Sequence, residues 1–199
     1  AGAPENCIQW ITEPSIAATN ALMNHDGIST ILATGGNAMV RAAYSCGKPA
    51  LGVGAGNVPA YIEKSADIRQ AAHDIVMSKS FDNGMVCASE QAVIIDKEIY
   101  DEFVEEFKSY KTYFVNKEEK ALLEEYCFSV KANSKNCAEG KLNADIVGKP
   151  AACIAEQAGF KVPEGTNIFS AHCAVVGPNQ PLTRENLSPV IALLKAEDV

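Results

Sequence analysis

The sequence has few basic residues, few histidines and no long apolar run. Its 17 lysines and arginines stand against 25 acidic residues, which gives a net charge of −8 without any basic stripe. A protein that lacks such a stripe cannot neutralise many phosphates, so we expect no nucleic-acid partner. No run of about 18 apolar residues is present, so we expect no membrane-spanning helix. Three histidines are too few for a histidine-rich metal site, and we expect no metal.

Paired cysteines and targeting signals are also missing. The seven cysteines are an odd number without a Cys-x-x-Cys pair, which argues against a disulfide framework or zinc site and for a reducing compartment. Residues 1–6 have neither the basic start nor the apolar core of a secretory signal. We therefore predict a cytoplasmic protein. The sequence has no initiating Met and no closing element, so we expect a piece of a longer chain.

Strand and helix patterns alternate along most of the sequence. Strands are predicted at 28–33, 50–53, 58–62, 92–95, 145–147, 171–176 and 190–194, and helices at 14–25, 38–46, 67–80, 98–110, 117–128 and before Gly159. This alternation predicts βαβ units, an α/β fold and a largely parallel sheet. Glycine and charge usage change near residues 64–66, which suggests one domain over 1–65 and another over 66–199.

Two glycine-rich turns follow the first two predicted strands. Thr34-Gly35-Gly36-Asn37 lies between a strand and a helix, where the backbone N–H groups of a helix N-terminus could bind a phosphate. The alternative is a tight turn that needs glycine for its backbone angles, since the motif is not Gly-x-Gly-x-x-Gly. Three glycines in five residues, from Gly52 to Gly56, mark either close approach of another group to the backbone or a flexible turn.

One cysteine lies in a polar loop between a predicted helix and an apolar strand. Cys87 is flanked by small and polar residues over 80–91, a setting in which a scaffold can hold a reactive side chain exposed. With a stabilised thiolate it would be a nucleophile. The alternative is a small structural residue, which we expect for Cys46, Cys127 and Cys153 in their helical patterns. No His or Asp is spaced for a protease-like pair with Cys87.

An acidic residue precedes the last predicted strand. Glu185 lies in Arg184-Glu185-Asn186-Leu187-Ser188-Pro189, where it is either a plain loop carboxylate or a ligand contact. The charged stretch over 117–125 is most simply the solvated face of an exposed helix.

Taken together and in this order, these segments resemble the aldehyde dehydrogenase superfamily, specifically its CoA-acylating branch and the aldehyde dehydrogenase half of the bifunctional aldehyde-alcohol dehydrogenases. The resemblance is carried by residues 31–36, 47–57 and 185–189, and above all by Ser78-Lys79-Ser80-Phe81-Asp82-Asn83-Gly84-Met85-Val86-Cys87-Ala88-Ser89-Glu90-Gln91. It extends over nearly all of the chain and is weakest between residues 111 and 143. It implies an aldehyde dehydrogenase-like fold, with part of a Rossmann-type cofactor domain over 1–65 and a cysteine-bearing catalytic domain over 66–199.

The resemblance also implies a role for each candidate residue. Cys87 would attack an aldehyde, a hydride would pass to NAD, and the thioester left on the enzyme would be transferred to coenzyme A. Thr34, Gly35 and Gly36 would lie at the NAD pyrophosphate, Gly54 near the nicotinamide, and Glu185 on the nicotinamide ribose. The implied reaction is the reversible oxidation of a short aldehyde such as acetaldehyde to an acyl-CoA, run in reverse during fermentation.

One substitution separates the branches of the family. The hydrolytic branch reads Leu-Glu-Leu-Gly-Gly-Lys where this sequence reads Leu51-Gly52-Val53-Gly54-Ala55-Gly56, so Gly52 replaces the carboxylate that activates water. A thiol is partly ionised near neutral pH whereas water needs a base, so the missing carboxylate favours transfer to CoA.

Alternatives remain at this point. Within the same fold they are a hydrolytic aldehyde dehydrogenase and a glutamyl-phosphate-type reductase. From another class, the chain could be an assembly element of a homo-oligomer or filament, without activity of its own. By resemblance, the family's first cofactor-binding strands and oxyanion asparagine would lie before Ala1. Its later histidine and oligomerisation segment would lie after Val199.

Overall fold

Residues 2–129, 140–177 and 179–197 are described by a computed structural model. Their contacts divide the chain into two units, Ala1–Ala55 and Gly56–Val199, each with its own sheet and core. The division falls before the strand at Pro59–Ile62, whereas glycine and charge usage point to residues 64–66. The assignment of 1–65 to a cofactor domain and of 66–199 to a catalytic domain stays a prediction.

The first unit alternates helix and strand, as α1 Ile16–Asn24, β1 Ile31–Thr34, α2 Asn37–Ser45 and β2 Ala50–Val53. Strands β1 and β2 pair in parallel, with Ile31 opposite Ala50. Helix α1 begins after Ser15, whose hydroxyl accepts the Ala18 N–H at 3.0 Å and so caps the helix. The small buried core of this unit consists of Met23, Ile31, Ala33 and Ala43.

Five parallel strands and four α-helices make up the described part of the second unit. In chain order they are β3 Pro59–Ile62, α3 Ile68–Ser80, β4 Ala92–Asp96, α4 Tyr100–Ser109, β5 Thr112–Phe114, α5 Lys117–Phe128, α6 Ala151–Ala158, β6 Ile168–His172 and β7 Val190–Ala196. The strand order is β3-β4-β7-β6-β5, and every neighbouring pair is parallel. The predicted α/β fold with a parallel sheet is confirmed.

Helices cover both faces of the five-stranded sheet. Ile168 of β6 packs with residues of α3 and α4, whereas the next residue, Phe169, packs with residues of α5 and α6. Successive side chains of a strand point to opposite faces, so the sheet lies between two helical layers. Helix α5, expected to be exposed, accordingly buries Leu123, Cys127 and Phe128.

Most predicted elements are present with shifted ends, and some predictions are wrong. Strand β2 and helix α5 have the predicted bounds. The strand predicted at 145–147 is instead a 3₁₀ turn, Ala144–Ile146, because the Asn143 side chain accepts the Asp145 N–H and starts a turn. In the described ranges no helix is long and apolar enough to cross a membrane. Those ranges also hold no group of three or more His, Cys, Asp or Glu side chains placed to bind a metal ion.

Candidate active site

The four predicted cofactor residues of the first unit lie on two adjoining turns. Thr34 ends β1, Gly35 and Gly36 form the turn into α2, and Gly54 follows β2. The Gly35 N–H donates to the last carbonyl of β2 at 3.0 Å, which ties the first turn to that strand. A Cβ atom on Gly54 would lie 2.7 Å from Asn37 Oδ1. The absence of a side chain at Gly54 therefore lets the two turns approach each other.

The amino end of α2 is open. Gly36 is the N-cap residue and provides no side-chain hydrogen bond to the helix. A Cβ atom on Gly36 would meet no described heavy atom within 4 Å. The first N–H groups of a helix have no acceptor within the helix, and the helix dipole favours an anion beside them. This turn thus fits a phosphate group such as the pyrophosphate of NAD.

Gly52, the position of the missing carboxylate, has no room for a side chain. A Cβ atom there would lie 2.6 Å from Val40 Cγ1 and 3.0 Å from Tyr44 Cε2, both on α2. Val40 is β-branched and therefore stiff, so it cannot easily turn away. The Tyr44 hydroxyl also accepts the Gly52 N–H at 2.9 Å. A glutamate at position 52 would require α2 to repack against β2.

Cys87 lies exposed in the loop between α3 and β4, residues 81–91, which we name the cysteine loop. The loop opens with a 3₁₀ turn in which Asp82 and Asn83 have φ angles of 49° and 51°, followed by Gly84 at 71°. Left-handed angles at residues other than glycine cost free energy and persist only where the surroundings impose them. The conformation that presents Cys87 is therefore held by neighbouring contacts.

Those contacts come largely from the loop that carries Glu185, residues 184–189, which we name the glutamate loop. Gly84 of the cysteine loop packs against Ser188 of the glutamate loop, so closely that a Cβ atom on Gly84 would clash with the Ser188 carbonyl oxygen. Asn83 Nδ2 donates to the Gly148 carbonyl at 3.0 Å, and the Gly148 N–H donates to a carbonyl of the glutamate loop at 3.1 Å. The structure thus brings the loops of Cys87 and Glu185 together within the second unit.

A buried polar network joins the same two loops. Gln91 Oε1 accepts from Lys79 Nζ at 3.1 Å and from the Asn186 N–H at 3.2 Å. Asn186 Oδ1 accepts from the Ser188 N–H at 3.2 Å and from the Ser188 hydroxyl at 2.9 Å. All four residues are fully buried. Hydrogen bonds in a low-dielectric interior are strong and costly to break, so this network fixes the two loops against each other.

Lys79 belongs to the main motif but has no predicted role, although the sequence carries a signal for one. Helix α3 buries Ala72, Ile75, Val76 and Lys79, which recur at the three- and four-residue spacing of one helix face. A lysine that continues an apolar stripe predicts a buried charge. Asn57 likewise has no predicted role. Its Nδ2 donates to the Thr183 carbonyl at 2.9 Å, just ahead of the glutamate loop.

Exposure distinguishes Cys87 from Cys127 and Cys173, but not from Cys7 and Cys153. Burial raises the pKa of the Cys127 thiol to about 12, and burial likewise raises the pKa of Cys173, so both remain protonated near neutral pH. Cys153, expected to be a structural residue within its helix, is exposed on α6. The structure places Thr34, Gly35, Gly36 and Gly54 in the first unit, and Cys87 and Glu185 in the second.

Comparison with known proteins gives the family. Residues 1–121 match the model of the aldehyde dehydrogenase family. The chain belongs to the aldehyde dehydrogenase family. The aldehyde-alcohol dehydrogenase of Streptococcus pneumoniae serotype 4 is 84% identical over 197 residues, which are 99% of this chain and 22% of that protein. The chain thus spans less than a quarter of the length of this relative.

Solved structures support the same family assignment. An acetylating aldehyde dehydrogenase from Geobacillus thermoglucosidasius matches with a TM-score of 0.87 and 45% identity, over 98% of this chain and 41% of that one. A propionaldehyde dehydrogenase from Rhodopseudomonas palustris, solved with bound CoA and an acylated cysteine, matches with a TM-score of 0.76 and 32% identity over 93% and 40% of the two chains. The predicted resemblance to CoA-acylating aldehyde dehydrogenases is confirmed, while the roles of individual residues stay predictions.

Proposed function

We propose that this chain carries the nucleophile of an NAD-dependent, CoA-acylating aldehyde dehydrogenase that acts on a short aldehyde such as acetaldehyde. The observation that carries the proposal is the exposed thiol of Cys87 on a loop held by a buried polar network. Such a loop keeps a nucleophile accessible and fixed. The Rhodopseudomonas palustris relative, whose structure contains CoA and an acylated cysteine, supports thioester chemistry.

Cys87 takes part in each bond change of the proposed reaction. Its thiolate attacks the aldehyde carbon, so a carbon–sulfur bond forms and the carbonyl oxygen becomes an oxyanion. NAD, when bound, supplies the hydride acceptor, and loss of hydride from that carbon leaves a thioester on Cys87. The CoA thiolate then attacks the thioester carbon, the bond to Cys87 breaks, and acyl-CoA leaves with the thiolate of Cys87 restored. The same steps in reverse reduce acyl-CoA to the aldehyde.

The proposed cofactor roles are those implied by the resemblance to the family, and the open turn at Gly36 supports the first of them. Thr34, Gly35 and Gly36 would hold the NAD pyrophosphate, because the α2 N-terminus offers free N–H groups and glycine leaves room for a close approach. Gly54 would lie beside the nicotinamide end, and the Glu185 carboxylate would accept hydrogen bonds from the nicotinamide ribose.

The choice of CoA over water is supported by Gly52. Hydrolysis of a thioester needs a base to activate water, and contacts with Val40 and Tyr44 leave no space at position 52 for the carboxylate that the hydrolytic branch carries there. A thiol needs no comparable activation. Gly52 therefore favours acyl transfer to CoA over hydrolysis.

We also propose that the protein works in the cytoplasm as a homo-oligomer, with filaments as one possible form. The six described cysteines are free, as expected in a reducing compartment. Electron microscopy of the purified protein tests the assembly. Filaments without activity under any condition would favour the assembly element over the enzyme.

The test is NADH absorbance with the protein expressed from its complete open reading frame. We expect sustained NADH production from acetaldehyde and NAD only when CoA is present. Cys87→Ser should abolish this activity, because an alcohol at this position is a far poorer nucleophile than a thiolate. Cys153→Ser is the matched control, since Cys153 is also exposed, and it should retain full activity.

Two results would contradict the proposal. Full activity of Cys87→Ser would remove Cys87 from the reaction. Sustained turnover without CoA would assign the protein to the hydrolytic branch.

A further inference from the structure

Lys79 is a fully buried lysine that no step of the proposed reaction uses. Its side chain lies on the inner stripe of α3, beside the cysteine loop. Burial lowers the pKa of Lys79 to about 7, partly opposed by the charges of Glu90 and Glu185. A buried ammonium is costly, and an apolar residue of the same size would pack on this stripe without that cost. Core packing alone therefore does not account for a lysine at this position.

The contacts of Lys79 lead to both loops of the candidate site. Its Nζ donates to Gln91 Oε1 at 3.1 Å, and the same oxygen accepts the N–H of Asn186, the residue that follows Glu185. Gln91 Nε2 donates to the Ser89 carbonyl at 3.0 Å, which holds the Gln91 amide in place from within the cysteine loop. The Gln91 amide thus accepts from the lysine and from the glutamate loop, and it donates to the cysteine loop.

Charge links Lys79 to the same two loops. Glu90 belongs to the cysteine loop and Glu185 to the glutamate loop, and the carboxylates of both attract the Lys79 ammonium. Glu90 Oε2 is buried and has no hydrogen-bond partner within the described ranges. A positive charge on Lys79 therefore attracts one carboxylate on each loop.

We propose that Lys79 is a positioning residue for the candidate active site: through Gln91 and the Asn186 backbone, it fixes the glutamate loop, and with it Glu185, relative to the loop that carries Cys87. This inference rests on the proposed function, in which Glu185 contacts the nicotinamide ribose. Lys79 touches neither substrate nor cofactor in this role. It acts through the two loops.

The test compares Lys79→Met with wild type in the protein expressed from its complete open reading frame. Methionine keeps the length of the side chain and removes both the donor and the charge. We expect the melting temperature to fall modestly, because Gln91 Oε1 and the buried Glu90 carboxylate each lose a partner while the cost of burying the ammonium is removed. We expect the KM for NAD to rise about tenfold while kcat at saturating NAD changes less, because Glu185 loses its position.

A second readout does not depend on activity. Hydrogen exchange measured by mass spectrometry on peptides covering 184–189 should accelerate about tenfold in Lys79→Met, because the Asn186 N–H bonds to an amide that has lost its lysine partner and keeps only its bond to Ser89. A lysine that only stabilises the fold predicts an equal change of exchange throughout the second unit rather than a local one at 184–189. Lys120→Met is the matched control, since Lys120 is also poorly exposed but bonds to His172 and Gln180. It should alter neither exchange at 184–189 nor the KM for NAD.

The pathway through Gln91 is tested by a double-mutant cycle. If Lys79 acts through Gln91, Lys79→Met combined with Gln91→Leu should raise the KM for NAD no further than the larger single change. Additive effects would overturn that pathway. Unchanged KM and unchanged exchange in Lys79→Met would overturn the positioning role.

The outcomes separate this inference from the proposed function. If Cys87→Ser retains activity, the proposed function fails, and the exchange at 184–189 still decides whether Lys79 orders the glutamate loop. If Cys87→Ser is inactive but Lys79→Met matches wild type in both readouts, only the role of Lys79 is overturned.

Discussion

The two units place their candidate residues at opposite ends of their strands and hold them by different means. In the first unit, Gly35, Gly36 and Gly54 follow the carboxyl ends of β1 and β2, where parallel sheets commonly bind ligands. In the second, the cysteine and glutamate loops lead into the amino ends of β4 and β7. The glycine turns of the first unit offer backbone N–H groups and the space left by absent side chains. The loops of the second unit present side chains that buried partners hold in place.

This difference indicates which substitutions should impair each set of candidate residues. A turn built from glycine loses function when a side chain is added, because space and backbone angles are what it supplies. A loop held by side chains loses function when a distant partner is removed. Substitutions of glycine therefore test the first set of residues, and changes of pH test the buried partners of the second.

The largest expected effect is that of Gly84→Ala in the cysteine loop. A methyl group there meets the Ser188 carbonyl at 2.4 Å, and the φ angle of 71° is unfavourable for alanine. We expect a loss of roughly 2–4 kcal/mol in free energy of unfolding, with loss of activity. Chemical denaturation and the NADH assay measure the two effects.

The control for Gly84 is Gly159→Ala. Gly159 also has a left-handed φ angle, 93°, but a methyl group there meets no described atom within 4 Å. Gly159→Ala should lower the free energy of unfolding by only about 1 kcal/mol. Equal losses in the two variants would show that backbone strain, rather than contact between the two loops, limits Gly84.

A smaller effect is expected for Gly52→Ala in the first unit. The new Cβ atom would lie 2.6 Å from Val40 Cγ1, so we expect a loss of about 1–3 kcal/mol in denaturation experiments. Val40→Ala should restore part of this loss when combined with Gly52→Ala, because it removes the obstructing methyl groups. Gly56→Ala is the control, since nothing described lies near its Cβ position. An additive double variant would contradict the steric explanation.

The next effect is a pH dependence of stability that comes from the second unit. Burial lowers the pKa of Lys79 to about 7, so above that pH the unfolded chain binds more protons than the folded one. The free energy of unfolding should rise between pH 7 and 9, with a slope of at most about 1.4 kcal/mol per pH unit. Above pH 9 the raised pKa of Cys127 acts in the opposite direction. Lys79→Met should flatten the dependence of the free energy of unfolding on pH below pH 9. An unchanged slope would show that other groups cause this pH dependence.

The smallest effect on stability is expected for Gly36→Ala. Gly36 has extended backbone angles, φ −65° and ψ 158°, and open space around its Cβ position. The melting temperature should therefore hardly change, with a stability effect within about 0.5 kcal/mol. The KM for NAD should nevertheless rise, because the methyl group would occupy space needed by the pyrophosphate. An unchanged KM would remove this turn from the cofactor site.

Local patterns in the sequence predict much of this fold, and particular residues show where they fail. The short strand Ala50–Val53 and the charged helix Lys117–Phe128 have their predicted bounds, because local signals mark their ends: Pro49 precedes the strand, and Asn116 and Glu119 form a capping box at the helix start. The strand β5, Thr112–Phe114, is missed because three residues carry little periodic signal. Strand β6 begins at Ile168, ahead of the predicted 171, within an apolar stretch that has no clear period.

The candidate site likewise contains residues that the sequence suggests and residues that only the structure identifies. Cys87 and the glycine turns stand in local motifs, so the sequence alone suggests them. The link from Lys79 to Asn186 joins residues more than a hundred positions apart, and only the tertiary fold brings both to the Gln91 amide. Such long-range partners leave no local pattern, apart from the misplaced charge on the inner stripe of α3.

The packing of Val40 and Tyr44 against Gly52 bears on how the proposed activity could be redesigned. A glutamate introduced alone at position 52 would collide with Val40 and displace the hydroxyl that accepts the Gly52 N–H. Conversion to a water-using enzyme therefore requires paired changes, a smaller residue at position 40 together with the new carboxylate. If the glutamate came first, the route would pass through a destabilised variant, whereas a smaller residue at position 40 could precede the glutamate.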